Sequence, residues 1–183
     1  RKAKIVTSIA MFYDLEDPNA FVAEVAKVLD DNGVWVVQFT DLWDTVRLNA
    51  FDNFCHEHLA YYDFSTFASL VAFHGLHVVD CERNNVNGGS IRYYVVKEGA
   101  KGIETFPGAF DRLRQEIQND LKITPEAFAK FKKNVEMVRA KVRMVVENTV
   151  VGGGCVDVLG ASTKGNTLLQ YFGLDHLAIR RAV

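Results

Sequence analysis

The chain has 183 residues, enough for one large domain or two small ones, and at 49% hydrophobic it can fill a packed core. Its 21 basic and 23 acidic residues leave a formal charge of −2, which offers no basic patch for a nucleic acid or an anionic membrane surface. No apolar run is long enough to span a bilayer, no signal peptide is visible, and Cys55, Cys81 and Cys155 have no disulfide-like spacing, so a cytoplasmic location is expected.

The chain begins at Arg1 rather than Met and enters a strand-like segment at once; it ends at Val183 soon after a helical pattern. A piece of a longer protein is expected. Ala3–Ala10 is short, β-branched and apolar and predicts a buried strand. A loop over Met11–Asp17 follows. Asp17 can cap a helix begun by Pro18, with Phe21, Val25, Val28 and Leu29 on one face and the Asp30–Gly33 turn residues as its stop. Val34–Thr40 predicts a second buried strand, completing a parallel strand–helix–strand unit.

The next tract, Phe51–Tyr62 (FDNFCHEHLAYY), brings Cys55, His56, Glu57, His58, Tyr61 and Tyr62 together in a connection between sheet-forming segments. Three readings stand. The histidines are surface or half-buried hydrogen-bonders; or His56 and His58, two apart and so on one face of an extended strand, share a metal; or one histidine is a general base oriented by the neighbouring acid or by tyrosine hydroxyls. The flanking sequence favours the third.

Ser65–His74 predicts a helix with Ser65 as cap and Gly75 as stop. Leu76–Glu82 and Ile91–Lys97, joined by the turn residues of Asn84–Ser90, predict an antiparallel pair. A parallel unit that ends in a hairpin predicts an α/β fold resembling the second half of a Rossmann-like class I methyltransferase sheet. A flavodoxin-like or plain nucleotide-binding sheet shares most of the pattern.

After Gly102 the character changes. Asp111–Leu121 predicts one helix and Thr124–Glu147 a longer one, capped by Thr124 with Pro125 in its first turn. Its stripe of Phe128, Phe131, Val135, Val138, Val142 and Val145 predicts a face turned to the core or laid along a partner helix. Cys155–Leu159 predicts a strand, Gly160–Asn166 a tight turn and Thr167–Phe172 a helix closed by Gly173. The turn, Gly-Ala-Ser-Thr-Lys-Gly-Asn, presents backbone N–H groups at a helix N-terminus beside Lys164, a place where a phosphate is stabilised. It also reads as an ordinary turn with an exposed lysine. It is not a nucleotide-binding P-loop, because the glycine spacing is wrong and Gly165 stands where Ser or Thr is needed.

Four tracts in this order, AMFYDLEDPNAF (Ala10–Phe21), NAFDNFCHEHLAYY (Asn49–Tyr62), NNVNGGSIR (Asn84–Arg92) and GASTKGNTLLQYFGL (Gly160–Leu174), resemble the C-methyltransferases of nucleotide-linked (dTDP-4-keto) deoxysugars. The resemblance implies residues 1–97 as the later half of a methyltransferase domain that uses S-adenosylmethionine. It implies residues 98–183 as most of a C-terminal α/β substrate domain with long helices. A zinc-binding domain and the glycine-rich cofactor loop have no counterpart in this chain.

Carried over by position, the resemblance implies His58 as the base beside the sugar ketone, with Glu57 and His56 in the catalytic tract. It implies substrate contacts from Tyr13, Asp14, Cys55, Tyr61, Tyr62, Asn87, Ser90, Arg92, Lys164 and Asn166, and cofactor contacts from Ala10 and Met11. Cys55 stands where some members carry a tyrosine, and Asp14 where some carry a histidine. The expected reaction moves a methyl group to a carbon beside the ketone of a nucleotide-linked sugar, with no resident metal in this chain. Two rivals are a non-catalytic nucleotide-binding or assembly module and a metal-dependent hydrolase or lyase. A half-sheet also leaves an open edge, through which the chain is expected to self-associate unless other chain covers it.

Overall fold

The structure is a computed structural model and describes residues 1–160 and 162–183. Strand β1 (Ala3–Ile9) leads through a single 3-10 turn at Phe12–Asp14 into helix α1 (Pro18–Val28). Asp17 caps α1 by accepting from the Ala20 N–H at 2.9 Å, as its place before Pro18 predicts. Strand β2 (Leu29–Phe39) follows directly. The Asp30–Gly33 residues therefore do not stop the helix: it ends at Val28, and they form an irregular bulge inside β2, where the β1 register jumps. Gly33 is required there, since a Cβ would stand 2.9 Å from the Ala3 carbonyl oxygen and 2.9 Å from the Leu29 side chain. Lys4 and Lys2 hold the bulge through Asp30 and Asp31 at 2.6 and 2.9 Å.

Helix α2 (Leu42–Arg47), absent from the sequence expectations, comes next, then a 3-10 turn at Phe51–Asn53 and helix α3 (Phe64–Phe73). The cap of α3 is Asp63, not Ser65, and Asp120 adds a second carboxylate that accepts from the Phe64 and Ser65 N–H groups at 3.2 and 2.8 Å. Strand β3 (Leu76–Asn84) and strand β4 (Ser90–Lys97) close the sheet.

The strand order is β1-β2-β4-β3. The β1–β2 pair is parallel, and β4 lies antiparallel to both β2 and β3. It is thus inserted, reversed, between two strands that run the same way. This is the mixed α/β sheet that the hairpin-terminated pattern predicts. Phe12, Trp35, Phe39, Phe67 and Tyr93 meet ring against ring, with centroids 4.8–6.1 Å apart, between this sheet and the helices on one face. The Trp35 indole N–H donates to Ser8 Oγ at 3.0 Å, so its one polar atom is satisfied inside the core. The outer edge of β1 pairs with no strand among the described residues, and Ile5 is 68% exposed there.

Helix α4 (Ala109–Asp120) packs on β3, and helix α5 (Pro125–Val151), capped by Thr124, touches α2. A two-residue strand β5 (Asp157–Val158), helix α6 (Thr163–Phe172) and a two-residue strand β6 (Arg181–Ala182), parallel to β5, end the chain. No helix of the described residues is long and apolar enough to cross a membrane.

Candidate functional site

In β1 and β2 the chain runs toward the same end of the sheet, and both connections that leave that end converge. After β1, Ala10 takes a left-handed turn at φ 54° while its N–H donates to the Gln38 carbonyl at 2.8 Å. Met11 is half-buried, and the turn at Phe12–Asp14 puts Phe12 into the core and leaves Asp14 outside. The carbonyl of Tyr13 then accepts from both Leu59 and Ala60 N–H groups, at 2.8 and 3.1 Å. Two backbone bonds on one oxygen fasten the Cys55–Tyr62 tract to the end of β1. The His58 ring lies against the Tyr13 ring, centroids 4.1 Å apart.

Charges around His58 oppose one another. Burial lowers the imidazole below its ordinary value; the Asp14 carboxylate pulls it up, Lys164 pushes it down, and the Asn53 carbonyl and Glu57 pull it up. The Asp14 carboxyl is itself raised, mainly by lost solvation, with Glu57 adding and His58 opposing. Burial also raises the phenols of Tyr13 and Tyr61. The outcome is a neutral imidazole at pH 7 beside protonated phenols, the state in which a histidine accepts a proton and a phenol donates a hydrogen bond.

The third wall comes from the far end of the chain. Helix α6 begins at Thr163, four residues earlier than the spacing predicts, with Ser162 Oγ accepting from the Gly165 N–H at 3.1 Å. Lys164 and Asn166 therefore belong to the first turn of a helix rather than to a free loop; Ala161 lies outside the described residues. The Thr163 hydroxyl donates to Glu57 Oε1 at 2.9 Å, and Lys164 Nζ donates to Asn53 Oδ1 at 2.5 Å. Phe51 packs on Tyr171 and Phe172, centroids 6.4 and 6.1 Å away. Between this helix start and the tract lies an open cleft of about 480 Å³, lined by His56, Glu57, Gly160, Ser162 and Asn166 among others.

The structure brings Tyr13, Asp14, Glu57, His58 and Lys164 to one place, with the buried Cys55 close enough to act on both Tyr13 and Tyr61. Tyr61 contributes through its hydroxyl, which donates to the Asn53 carbonyl at 3.3 Å. Tyr62 differs from expectation: it is a core residue whose ring meets Phe12 and Phe39, and its hydroxyl is buried without a partner. Asn87 and Ser90 sit in the β3–β4 turn at the same end of the sheet. Asn87 is exposed at φ 54°, and Ser90 is buried with its hydroxyl on the Val86 carbonyl at 2.8 Å. Arg92 lies on the sheet face away from the aromatic core, held by Gln38 at 3.0 Å and Glu82 at 3.3 Å. Among the described residues no group of three or more histidine, cysteine or carboxylate side chains is placed to hold a metal.

Sequence reasoning missed two features. Asn53, 1% exposed, stands under the tract and reads in sequence only as a turn residue. Arg83 joins Asp41 and Asp44, at 2.9 and 2.8 Å, to Glu116 of α4, and all three carboxylates are buried. Asp41 three residues before Asp44 is a legible capping pattern for α2; the reach to Glu116 has no local signal.

A family model described as the C-methyltransferase C-terminal domain matches residues 85–183. The C-methyltransferase NovU of Streptomyces niveus is 31% identical over 178 residues, which are 97% of this chain and 42% of that protein. The chain thus spans about two fifths of the length of this relative. Among solved structures, a complex of the Haloferax volcanii Trm112 methyltransferase activator with a methyltransferase is 13% identical, with a TM-score of 0.44 over 53% of this chain and 55% of that one. Magnesium protoporphyrin IX methyltransferase of Synechocystis PCC 6803 is 14% identical, with a TM-score of 0.42 over 53% of this chain and 46% of that one. With more than half of its length covered by that family model, the chain belongs to the C-methyltransferase C-terminal domain family.

Proposed function

We propose that this chain is the closing part of an S-adenosylmethionine-dependent C-methyltransferase that acts on the carbon beside the ketone of a nucleotide-linked keto-sugar. Residues 1–97 complete the methyltransferase sheet and residues 98–183 form the substrate-side domain. The observation that carries the reading is the placement of His58 against Tyr13 at the strand ends, with the N-terminus of α6 docked onto the same tract. Similarity to the C-methyltransferase NovU supports methyl transfer to a carbon.

His58, lowered by burial and therefore neutral at pH 7, takes the proton from the carbon beside the ketone. The phenol of Tyr13 stays protonated and donates to the enolate oxygen, while Tyr61 keeps its hydroxyl on the Asn53 carbonyl. Glu57 and Asp14 stabilise the imidazolium that forms. Lys164, Asn166 and the first N–H groups of α6 hold a substrate phosphate. Asn87 in the β3–β4 turn, with Ser90 and Arg92 at the start of β4, extends the substrate side. His56 faces the cleft and stands in reserve as an alternative base.

The residues present fit one side of the methyl donor: small, exposed Ala10, in a left-handed turn, and half-buried, apolar Met11 directly follow the edge strand β1. When bound, S-adenosylmethionine would supply the electrophilic methyl group and depart as S-adenosylhomocysteine, and the chain's task is orientation. The open edge of β1 takes the rest of the sheet, or a second copy of the chain.

Proton exchange isolates the His58 step. In the protein carrying this chain, incubated with keto-sugar nucleotide in deuterium oxide and no methyl donor, the carbon beside the ketone takes up deuterium. His58→Gln slows that uptake by about a hundredfold or more while substrate binding persists. Exchange at the wild-type rate in the variant would move the base elsewhere, with His56 next in line.

A further inference from the structure

Asn53 has no role in the proposed chemistry, yet it joins the two halves of the site. It is 1% exposed at the end of the Phe51–Asn53 turn. Its side-chain Oδ1 accepts from Lys164 of α6 at 2.5 Å, and its backbone carbonyl accepts from the Tyr61 hydroxyl at 3.3 Å and from the Cys55 N–H at 3.1 Å. The His58 N–H in turn donates to the Cys55 carbonyl at 3.2 Å. The Asn53 carboxamide is only half satisfied: its Nδ2 is buried with no partner. Lys164 is held loosely on its other side by Asp52, 3.8 Å away, and its side chain is 31% exposed.

We propose that Asn53 is a positioning residue that couples the anion end of the site to the base: it tethers Lys164 beside the His58 tract until an anion at the α6 N-terminus draws the lysine away. The proposal rests on the reading of the α6 N-terminus as the phosphate end of the substrate. The cation that α6 sends toward the imidazole is then a brake. With no anion bound, Lys164 is parked on Asn53, where it disfavours the imidazolium. A phosphate oxygen competes for the ammonium and neutralises it, and the balance at His58 shifts to Asp14 and Glu57, both of which favour the charged ring. Tyr13 contributes a tilted ring in contact with the imidazole and no charge at pH 7. His58 thus becomes a stronger base only when the nucleotide end of the substrate is seated. The unpaired Nδ2 gives the Asn53 side chain a reason to reorient once Lys164 leaves, since a buried donor gains a partner if the released carboxamide turns.

Inorganic pyrophosphate is the probe and the protein carrying this chain is the sample; with no methyl donor added, no turnover is needed. Proton NMR follows the His58 Cε1–H resonance against pH, identified by its loss in His58→Gln, while nitrogen-edited spectra follow the Thr163 and Gly165 amides. Pyrophosphate is expected to shift those amides and to raise the His58 midpoint. Lys164→Met is expected to raise the midpoint without pyrophosphate and to weaken pyrophosphate binding by roughly tenfold. Asn53→Ala is expected to raise the midpoint alone but to add nothing in the Lys164→Met background. If the amides shift and the His58 midpoint stays, the coupling is wrong while the phosphate reading stands. If pyrophosphate leaves the amides unmoved, the phosphate reading fails and the coupling fails with it. Lys164→Met, a change at a half-exposed side chain, decides the matter even if Asn53→Ala does not fold.

Discussion

The sheet half and the helical tail of this molecule are stabilised in different ways. Across β1–β4, α1 and α3, large side chains such as Trp35, Phe12, Phe67 and Tyr93 reach zero exposure and form one continuous aromatic core. Along the 27 residues of α5 only Val135 and Val146 are buried, while Val145 is 60% and Val151 88% exposed. The tail adds polar fasteners to a few apolar contacts such as Phe51 on Phe172: Arg83 to Glu116, Arg112 to Asp80 at 2.8 Å, Asp120 to the start of α3, and Thr163 and Lys164 to the site tract. The comparison teaches where rigidity lies. The proposed base, His58, stands on the half with its own core, and the proposed phosphate-binding turn at the start of α6 stands on the half held largely by charges and hydrogen bonds.

The comparison breaks first if core truncations cost the same in both halves. Phe67→Ala is expected to destabilise the chain by about 4 kcal/mol, since it removes a fully buried ring packed on four others. Phe128→Ala on α5, where the ring is 40% exposed, is expected to cost less than about 1 kcal/mol. Urea unfolding of the two variants reads both numbers, and near-equal losses would mean that α5 shares the core. Somewhat smaller is the expected loss in Arg83→Met, about 3 kcal/mol, because Asp41 and Glu116 remain buried without their cation. Burial already raises the Asp41 carboxyl, against Arg83, and losing the arginine raises it further. The variant should therefore regain part of its stability as the pH is lowered, and a loss that is flat with pH would point to packing instead.

The sheet was legible in the sequence because its residues carry both signals at once: β-branched runs such as Ile5–Thr7 and Val34–Val37, and turn residues where the chain reverses. The reversed β4 followed from the short turn before it. The stripe on α5 was legible as a period, and the structure covers only its middle: Val135 is buried and Phe131 meets Phe54 with centroids 5.8 Å apart, while Phe128 and Val145 at its ends are exposed. A helix of 27 residues is about 40 Å long, while its neighbour α6 has ten residues and can cover only about 15 Å of it. Period reports that a helix is amphipathic; coverage depends on a partner's length, which lies elsewhere in the chain. The site divides in the same way. His58, Glu57 and Lys164 stood out as reactive types in small-residue or polar tracts. Asn53 and Arg83 did not, because their importance comes from contacts 111 and 33 residues away in sequence.

A smaller effect tests whether the tail's capping is as local as it looks. Thr124→Ala removes the hydroxyl that accepts from the Ala127 N–H at 3.2 Å and is expected to cost about 1 kcal/mol. Asp17→Ala, the matching change at α1, is expected to cost a similar amount, since its carboxylate accepts from Ala20 in the same manner. If the comparison holds, amide exchange in Thr124→Ala quickens in the first turns of α5 and stays slow in β2 and β4, whereas Asp17→Ala loosens the end of the sheet as well.

The smallest expected effect, and the one that places a charge from the rigid half against the base, is Asp14→Asn. Burial sets the His58 imidazole below its ordinary value of 6.5, and Asp14 is the first of the influences that raise it again. A folded-state value below the unfolded one means that the unfolded chain takes up the proton first. Stability from this group is present above about pH 6.5 and falls as the pH drops toward the folded value. On the proposed role of His58 as base, the same order governs the acid limb of proton abstraction, because the imidazolium cannot accept a proton, and the wild-type limb should lie below 6.5. Asp14→Asn keeps the shape of the side chain and deletes its charge. The limb should then move to lower pH, while the rate at pH 7, where His58 is already neutral, changes little through this route. The pH profile of deuterium uptake beside the ketone measures the shift. A limb that moves to higher pH would show that Asp14 acts on His58 through something other than its charge, and an unmoved limb would leave Glu57 as the carboxylate that matters.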